Sequence, residues 1–331
     1  MIKKLSKHVV VTRKHTGLGS DLVSVAGAIH FARLTDRDVV IDWRSSVYLR
    51  DKKENLFPLL FEIKDEVEGV GIHVWDNGLS DKHLSGPLTR CKDWSFEKYH
   101  LEMLGPPRQV SASVIVERPM HHLPNIADQA GIFQCISPLP HIRDRIDSYC
   151  EREFRSRKVI GVHLRHGNGE KLGHQRDELA ARSVGMLSDS IITRIRQVWG
   201  EDVKIFVCSD SNEFREDLCG KWPDSCHYGS RVGTARNGPI HRPDGGLTNA
   251  EDAVAEMWLL GRCHGIVYNP SWFSHYARTT GDYSTAPQNI DEVSDYGTSV
   301  LYEKRFAAQL AQKSARKQRG FCWLRKLFFR K

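Results

Sequence analysis

Three polar clusters in this sequence carry side chains able to do chemistry, and each directly follows a short apolar run. The first is His163-Leu164-Arg165-His166-Gly167-Asn168-Gly169-Glu170. Arginine presents a planar fork of donors that matches phosphate oxygens. Gly167 and Gly169 let the backbone come close to a ligand and aim amide N–H groups at it. The pattern points to an anionic guest, most naturally a diphosphate; a surface arginine in a loop is the plainer reading. The second cluster is Ser209-Asp210-Ser211. Asp210 can accept from a ribose hydroxyl or a base amino group, order the Arg165 loop, or cap a helix over 212–219. The third is Asn269-Pro270-Ser271-Trp272, where a hydroxyl and amides opening a helix suit phosphate, unless Trp272 is simply core. Glu256, inside a helix, either accepts two N–H groups from a guanine edge or belongs to a solvated face.

The elements that must position these groups are readable from the apolar pattern. Runs at 159–163, 204–208 and 265–268 read as buried strands. Between them lie helices over about 186–199, with Ile191, Ile192, Ile195 and Val198 in phase, and about 249–262, opened by the capping-box pattern Thr248-Asn249-Ala250-Glu251. Strand alternating with helix implies a doubly wound parallel sheet. Ligands of such sheets sit beyond the carboxyl ends of the strands, where all three clusters fall.

A similar unit opens the chain. Val9-Val10-Val11 reads as a strand, Ser20 as the N-cap of a helix over 21–34, and Val39-Val40-Ile41 as a second strand ending at Asp42. Gly17-Leu18-Gly19 and Asp42 invite a nicotinamide-binding reading, but the fingerprint's third glycine position holds Leu22. Asp36-Arg37-Asp38 looks like a metal-binding triplet, yet it lies at a strand's amino end, where a loop salt bridge fits better. From about 50 to 145, eight prolines interrupt the pattern and leave loops and short elements of no readable order. A helix over about 141–156 then leads into the second half, which puts a boundary near 150.

The 331 residues suit two domains, and 40% hydrophobic with 27% charged residues is ordinary globular composition. No apolar run approaches a membrane span, and the opening residues do not read as a secretory signal, so a cytoplasmic chain is expected. The net charge of +7 is misleading: residues 303–331 hold ten of the 48 basic and one of the 41 acidic residues, which leaves the body near neutral. No nucleic-acid partner is implied. The basic end, Gly320-Phe321-Cys322-Trp323-Leu324-Arg325-Lys326-Leu327-Phe328-Phe329-Arg330-Lys331, interleaves aromatics with cations as an anionic membrane surface would favour. The eight cysteines form no CxxC pair and the sixteen histidines no HExxH, so buried reduced thiols and no metal site are expected.

At His163-Leu164-Arg165-His166-Gly167-Asn168-Gly169-Glu170 the chain resembles the α1,6-fucosyltransferases, most closely their rhizobial nodulation branch. Ile205-Phe206-Val207-Cys208-Ser209-Asp210-Ser211, the segment from Asp252 through Ser271, Arg13-Lys14-His15-Thr16-Gly17-Leu18-Gly19 and Ile41-Asp42-Trp43-Arg44 extend the likeness over most of residues 8–300. The resemblance implies a GT-B-like α/β fold of two Rossmann-like domains facing a cleft. Residues 1–150 would shape the acceptor side, 151–302 would bind GDP-fucose, and 303–331 would form a basic amphipathic tail. It further implies an inverting, metal-independent transfer of fucose to the 6-hydroxyl of N-acetylglucosamine, at the reducing end of a chitin oligosaccharide. Arg165 would neutralise the departing β-phosphate. His163, Asn168, Asp210 and Glu256 would contact the nucleotide and Ser271 a phosphate. The base would be Glu170, with His166 its rival. A nicotinamide-dependent oxidoreductase and a non-catalytic glycan- or nucleotide-binding module are the competing readings.

Overall fold

The structure is a computed structural model that describes residues 9–12, 17–75, 88–91, 113–116, 126–155, 157–165, 184–229, 246–269 and 271–290. In the first half β1 (Val9–Thr12) leads into α1 (Leu18–Thr35) and β2 (Asp38–Ile41). There follow α2 (Phe57–Leu60), β3 (Phe61–Ile63), β4 (Glu66–Val67), β5 (Val70–Val74), β6 (Leu88–Cys91), β7 (Ser113–Val116), α3 (Ile126–Phe133) and β8 (Ile136–Pro138). Helix α4 (Pro140–Glu153) then precedes β9 (Val159–Leu164), α5 (Val184–Trp199), β10 (Lys204–Ser209), α6 (Asn212–Lys221) and β11 (Ser225–Cys226). The described chain ends with α7 (Gly246–Gly261), β12 (Gly265–Tyr268), α8 (Trp272–Thr280) and β13 (Gln288–Asn289).

Two sheets result. The first has the order β4-β5-β2-β1-β7-β6 and is parallel except for the β4 edge; the second, β11-β10-β9-β12-β13, is parallel throughout. Short β3 and β8 pair antiparallel to one side. Both larger sheets reverse direction of growth in the middle, at β1/β7 and at β9/β12. These are the switch points where crossovers leave on opposite faces and a crevice opens.

Alternation along the strands decides what faces what. In β9, Ile160, Val162 and Leu164 pack with α5 and α6 in one apolar cluster. Val159 belongs to a second cluster, which runs without a break from α1 through α2, α4 and α7 to α8. That cluster is stitched by rings: Phe61 against Trp258 (centroids 5.7 Å), Trp258 against Tyr276 (4.6 Å) and Phe133 against Tyr276 (4.7 Å). Helix α7 therefore has apolar neighbours on several sides, and eight of its residues are buried, among them Glu256.

Several helix starts differ from the sequence reading. Helix α1 begins at Leu18 with Gly17 as N-cap, and Ser20 lies inside it, its carbonyl accepting from Ser24 Oγ (2.8 Å). Helix α7 begins at Gly246, so Thr248 and Asn249 are helical and the expected capping box does not open it. Glu251 instead accepts from Arg145 (3.2 Å) and meets His141 (3.0 Å), tying α7 to α4. The boundary drawn near 150 falls within α4, which packs against α7.

Gly19 has a reason of its own. A Cβ there would lie 2.6 Å from the carbonyl carbon and oxygen of Trp272 and 2.7 Å from Phe273 N. Helices α1 and α8 thus touch backbone to backbone at their first turns. Gly19→Ala gains helix propensity of roughly 1 kcal/mol, but the contact is with backbone that cannot rotate away. A net loss of about 1–3 kcal/mol is expected; urea denaturation that shows equal or greater stability would refute the contact.

Candidate functional site

The site lies where β9 and β12 part. The odd positions of β9 point toward α7 and α8, which places His163 beside Cys208 of β10, its register partner, and Glu256 of α7. His163 is buried and stacks on Phe273 of α8, with centroids 5.2 Å apart and planes 13° from parallel. Glu256 is 2% exposed and accepts a hydrogen bond from Cys208 Sγ at 3.0 Å. It is not on a solvated face, because α7 is a core helix rather than a surface one.

Two residues further, Arg165 leaves the sheet half-buried, its backbone taken up by Asn269 at the end of β12. Arg165 N–H donates to Asn269 Oδ1 (2.8 Å), and Asn269 Nδ2 donates to the Arg165 carbonyl (2.9 Å). Ser271 caps α8 with a reciprocal box: its Oγ accepts from Ser274 N (3.1 Å) while Ser274 Oγ accepts from Ser271 N (3.2 Å). The hydroxyl expected on a phosphate therefore has a capping role in this structure, where it takes up the Ser274 amide, one of the four that a helix start leaves without a partner in the helix. Asp210 follows β10, but the cap of α6 is Ser211, which accepts from Phe214 N (3.2 Å); the helix-cap alternative for Asp210 is excluded. His166, Gly167, Asn168, Gly169 and Glu170 lie outside the described residues.

The first turns of α1 and α8 meet at Gly19, and the N-cap of α1, Gly17, supplies no side-chain cap. Two helix N-termini, one from each sheet, therefore lie in contact near the end of β12, and Asp21, buried in the first turn of α1, places a carboxylate at the positive end of that helix. The same contact answers the nicotinamide reading, because the space that Gly19 leaves is filled by Trp272 backbone. Asp42, its proposed ribose acceptor, is 1% exposed and gripped through both oxygens by Arg44 (2.9 and 2.8 Å), whose guanidinium lies 4.3 Å from the Trp75 ring. In the Asp36-Arg37-Asp38 triplet, Arg37 is buried over the Phe31 ring and Asp38 meets His73 (3.4 Å). Among the described residues no group of three or more His, Cys, Asp or Glu is placed to hold a metal.

A groove of about 720 Å³ lies beside β11, lined by Arg145, Tyr149, Cys226, Tyr228, Thr248 and Asp252. Among the described residues, none of the expected nucleotide contacts lines it. Burial pushes the Cys226 thiol there up to about 11, so it stays protonated at neutral pH. Sequence reasoning missed Asn269, Ser274, Cys208 and Phe273. The third polar cluster contained Asn269, but its bridging role depends on which strand lies next to β12.

A pair of Rossmann-type sheets with the candidate anion site at the switch point of the second defines a GT-B-like α/β protein. The crystal structure of NodZ α-1,6-fucosyltransferase soaked with GDP-fucose is similar, with TM-score 0.67 and 26% identity over 83% of this chain and 93% of that one. POFUT1 in complex with GDP shares the fold (TM-score 0.55, 12% identity, 86% and 97% covered). By sequence, Nodulation protein Z of Bradyrhizobium diazoefficiens is 30% identical over 323 residues, 91% of this chain and 86% of that protein. That of Sinorhizobium fredii is 28% identical over 324 residues, covering 89% and 96%. The chain belongs to the Nodulation protein Z (NodZ) family, whose profile matches residues 6–99 and 109–302.

One group at the site makes stability depend on pH. Burial, with Arg278 alongside, pushes the His275 imidazole of α8 down to about 4. The unfolded chain takes up that proton near pH 6.5. Between these values the unfolded state binds more protons, so stability rises with pH through the window and is lost as pH falls. The contribution is on the order of 3 kcal/mol. His275→Gln should flatten the dependence of unfolding free energy between pH 6.5 and 4; a slope unchanged from the parent would refute the assignment.

Proposed function

We propose that this chain is an inverting α1,6-fucosyltransferase that moves fucose from GDP-fucose to the 6-hydroxyl of an N-acetylglucosamine residue, the reducing end of a chitin oligosaccharide. The observation that carries the reading is Arg165, held at the carboxyl end of β9 against Asn269 and next to the N-terminus of α8, in a chain of the NodZ family.

The acceptor oxygen attacks the anomeric carbon of fucose as the bond from that carbon to the β-phosphate oxygen breaks. Its proton passes to a base, and negative charge grows on the departing GDP. A fixed guanidinium and helix amides aimed at that charge stabilise the transition state without reorganising. This is the role of Arg165 and the first turn of α8, with the hydroxyl of Ser271 at the phosphates. With that charge supplied by the protein, the transfer needs no metal ion. Glu256 accepts from the guanine edge, a pairing that compensates a buried carboxylate. His163, Asn168 and Asp210 complete the nucleotide contacts. Glu170 serves as base, with His166 as the rival. Residues 151–302 hold the donor and residues 1–150 shape the acceptor side. No nucleic acid takes part.

The test is transfer from GDP-fucose to chitin oligomers. Turnover by the parent should survive EDTA, and Arg165→Lys should lose about 10²–10³ in kcat. Loss with EDTA that Mg²⁺ restores would overturn the metal-free step. Undiminished turnover in Arg165→Lys would overturn the phosphate role, and GDP binding without turnover would leave a binding module.

The basic-aromatic tail, we propose further, holds a cytoplasmic enzyme against an anionic membrane surface. Among the described residues no helix is long and apolar enough to cross a membrane. Deleting residues 320–331 should abolish sedimentation with anionic liposomes; unchanged binding would refute the anchor.

A further inference from the structure

We infer that Asn269 is a positioning residue for the donor site: its side-chain amide sets where Arg165 leaves the sheet and couples that point to the N-terminus of α8. The inference rests on the donor site proposed above.

Asn269 is 5% exposed, and its hydrogen bonds run in two directions. Toward β9, its own N–H donates to the His163 carbonyl (3.1 Å), and its side chain exchanges two bonds with the Arg165 peptide (2.8 and 2.9 Å). Toward α8, its carbonyl accepts from Ser274 Oγ (3.0 Å), the hydroxyl that also closes the capping box with Ser271. The side-chain amide reproduces one rung of a parallel ladder beyond the point where β12 has turned away. Only an acceptor and a donor held side by side can do this. The backbone from which the Arg165 side chain departs and the N-terminus of α8 are thereby held in one frame, as two groups must be if they are to meet the same diphosphate. A displacement of about 1 Å at such a site costs about a hundredfold in rate.

The chemistry offers a test with its own control. The carboxyl of Asn269→Asp, when protonated, keeps one acceptor and one donor in the same places. When ionised it sets a negative oxygen against the Arg165 carbonyl. Burial and that carbonyl both raise its pKa. Charged and titratable groups on the surrounding elements are His163 on β9 with Arg165 just beyond it, Cys208 on β10 with Asp210 just beyond it, Tyr268 on β12, Glu256 on α7, His275 and Arg278 on α8, and Asp21 on α1. Reading Asn269→Asp as a ratio to the parent removes the titration the two share, and Asn269→Ala, which adds no carboxyl, shows how far loss of the amide alone changes that titration.

Fucosyl transfer and calorimetric GDP affinity should be measured for the parent, Asn269→Ala and Asn269→Asp between pH 5.5 and 8. In Asn269→Ala, kcat should fall about a hundredfold, with a smaller change in KM and weaker GDP binding. Asn269→Asp should match the alanine variant at pH 8 and recover toward the parent as pH falls. If the alanine variant fails to fold, the aspartate variant alone decides. A folded variant with parental kcat and GDP affinity, or an Asp-to-parent ratio flat with pH, overturns the inference. A parent that binds GDP without transferring fucose sinks the enzyme reading, and GDP affinity still judges the positioning role. A parent that binds no GDP removes both.

Discussion

Parallel strands can diverge only if something other than the ladder takes over their backbone groups, and between β9 and β12 the buried amide of Asn269 does so. A peptide group shut away from water without a partner is costly. With the amide in place, β9 can release Arg165 and β12 can turn into α8. The first sheet solves the same problem the same way. Asn55 donates to the carbonyls of Ile41 (3.1 Å) and Trp75 (2.8 Å) and accepts from Trp43 N (2.8 Å), closing the gap beyond β2 and β5. Each sheet thus ends on an asparagine at its carboxyl edge, the edge that faces chemistry in folds of this kind.

Around that edge the buried acids have divided roles. Asp42 is closed by bidentate Arg44, whose guanidinium lies over the Trp75 ring, which makes it part of the scaffold. Glu256 meets a thiol, a weak donor, from the neighbouring strand. Two carboxylates of similar burial are therefore distinguished by their partners, a distinction that burial alone does not make.

The strands and helices of the second half were legible because Val159–Leu164, Lys204–Ser209 and Gly265–Tyr268 are continuous apolar runs separated by in-phase helices. Arg165 and Ser271 were legible as strand-end and helix-start residues for the same reason. What failed was local punctuation. Ser20 and Thr248 have good capping chemistry, yet α1 and α7 start two residues earlier, because packing decides where a buried helix begins. Strands β3 and β8, three residues each and paired around Pro138, are too short for any periodicity to register. Glu256 is ambiguous in the sequence because a helix that is buried on several sides has no polar face to contrast it with. Asn269 and Gly19 were invisible in function, since each answers to a neighbour far away along the chain.

The meeting of α1 and α8 at Gly19 has an energetic corollary. It joins chain near residue 19 to chain some 250 residues later through backbone that cannot rotate away. Under the donor reading proposed above, a ligand that favoured the position α8 takes against α1 would be linked to the mutual hold of the two sheets, each strengthening the other by the same free energy.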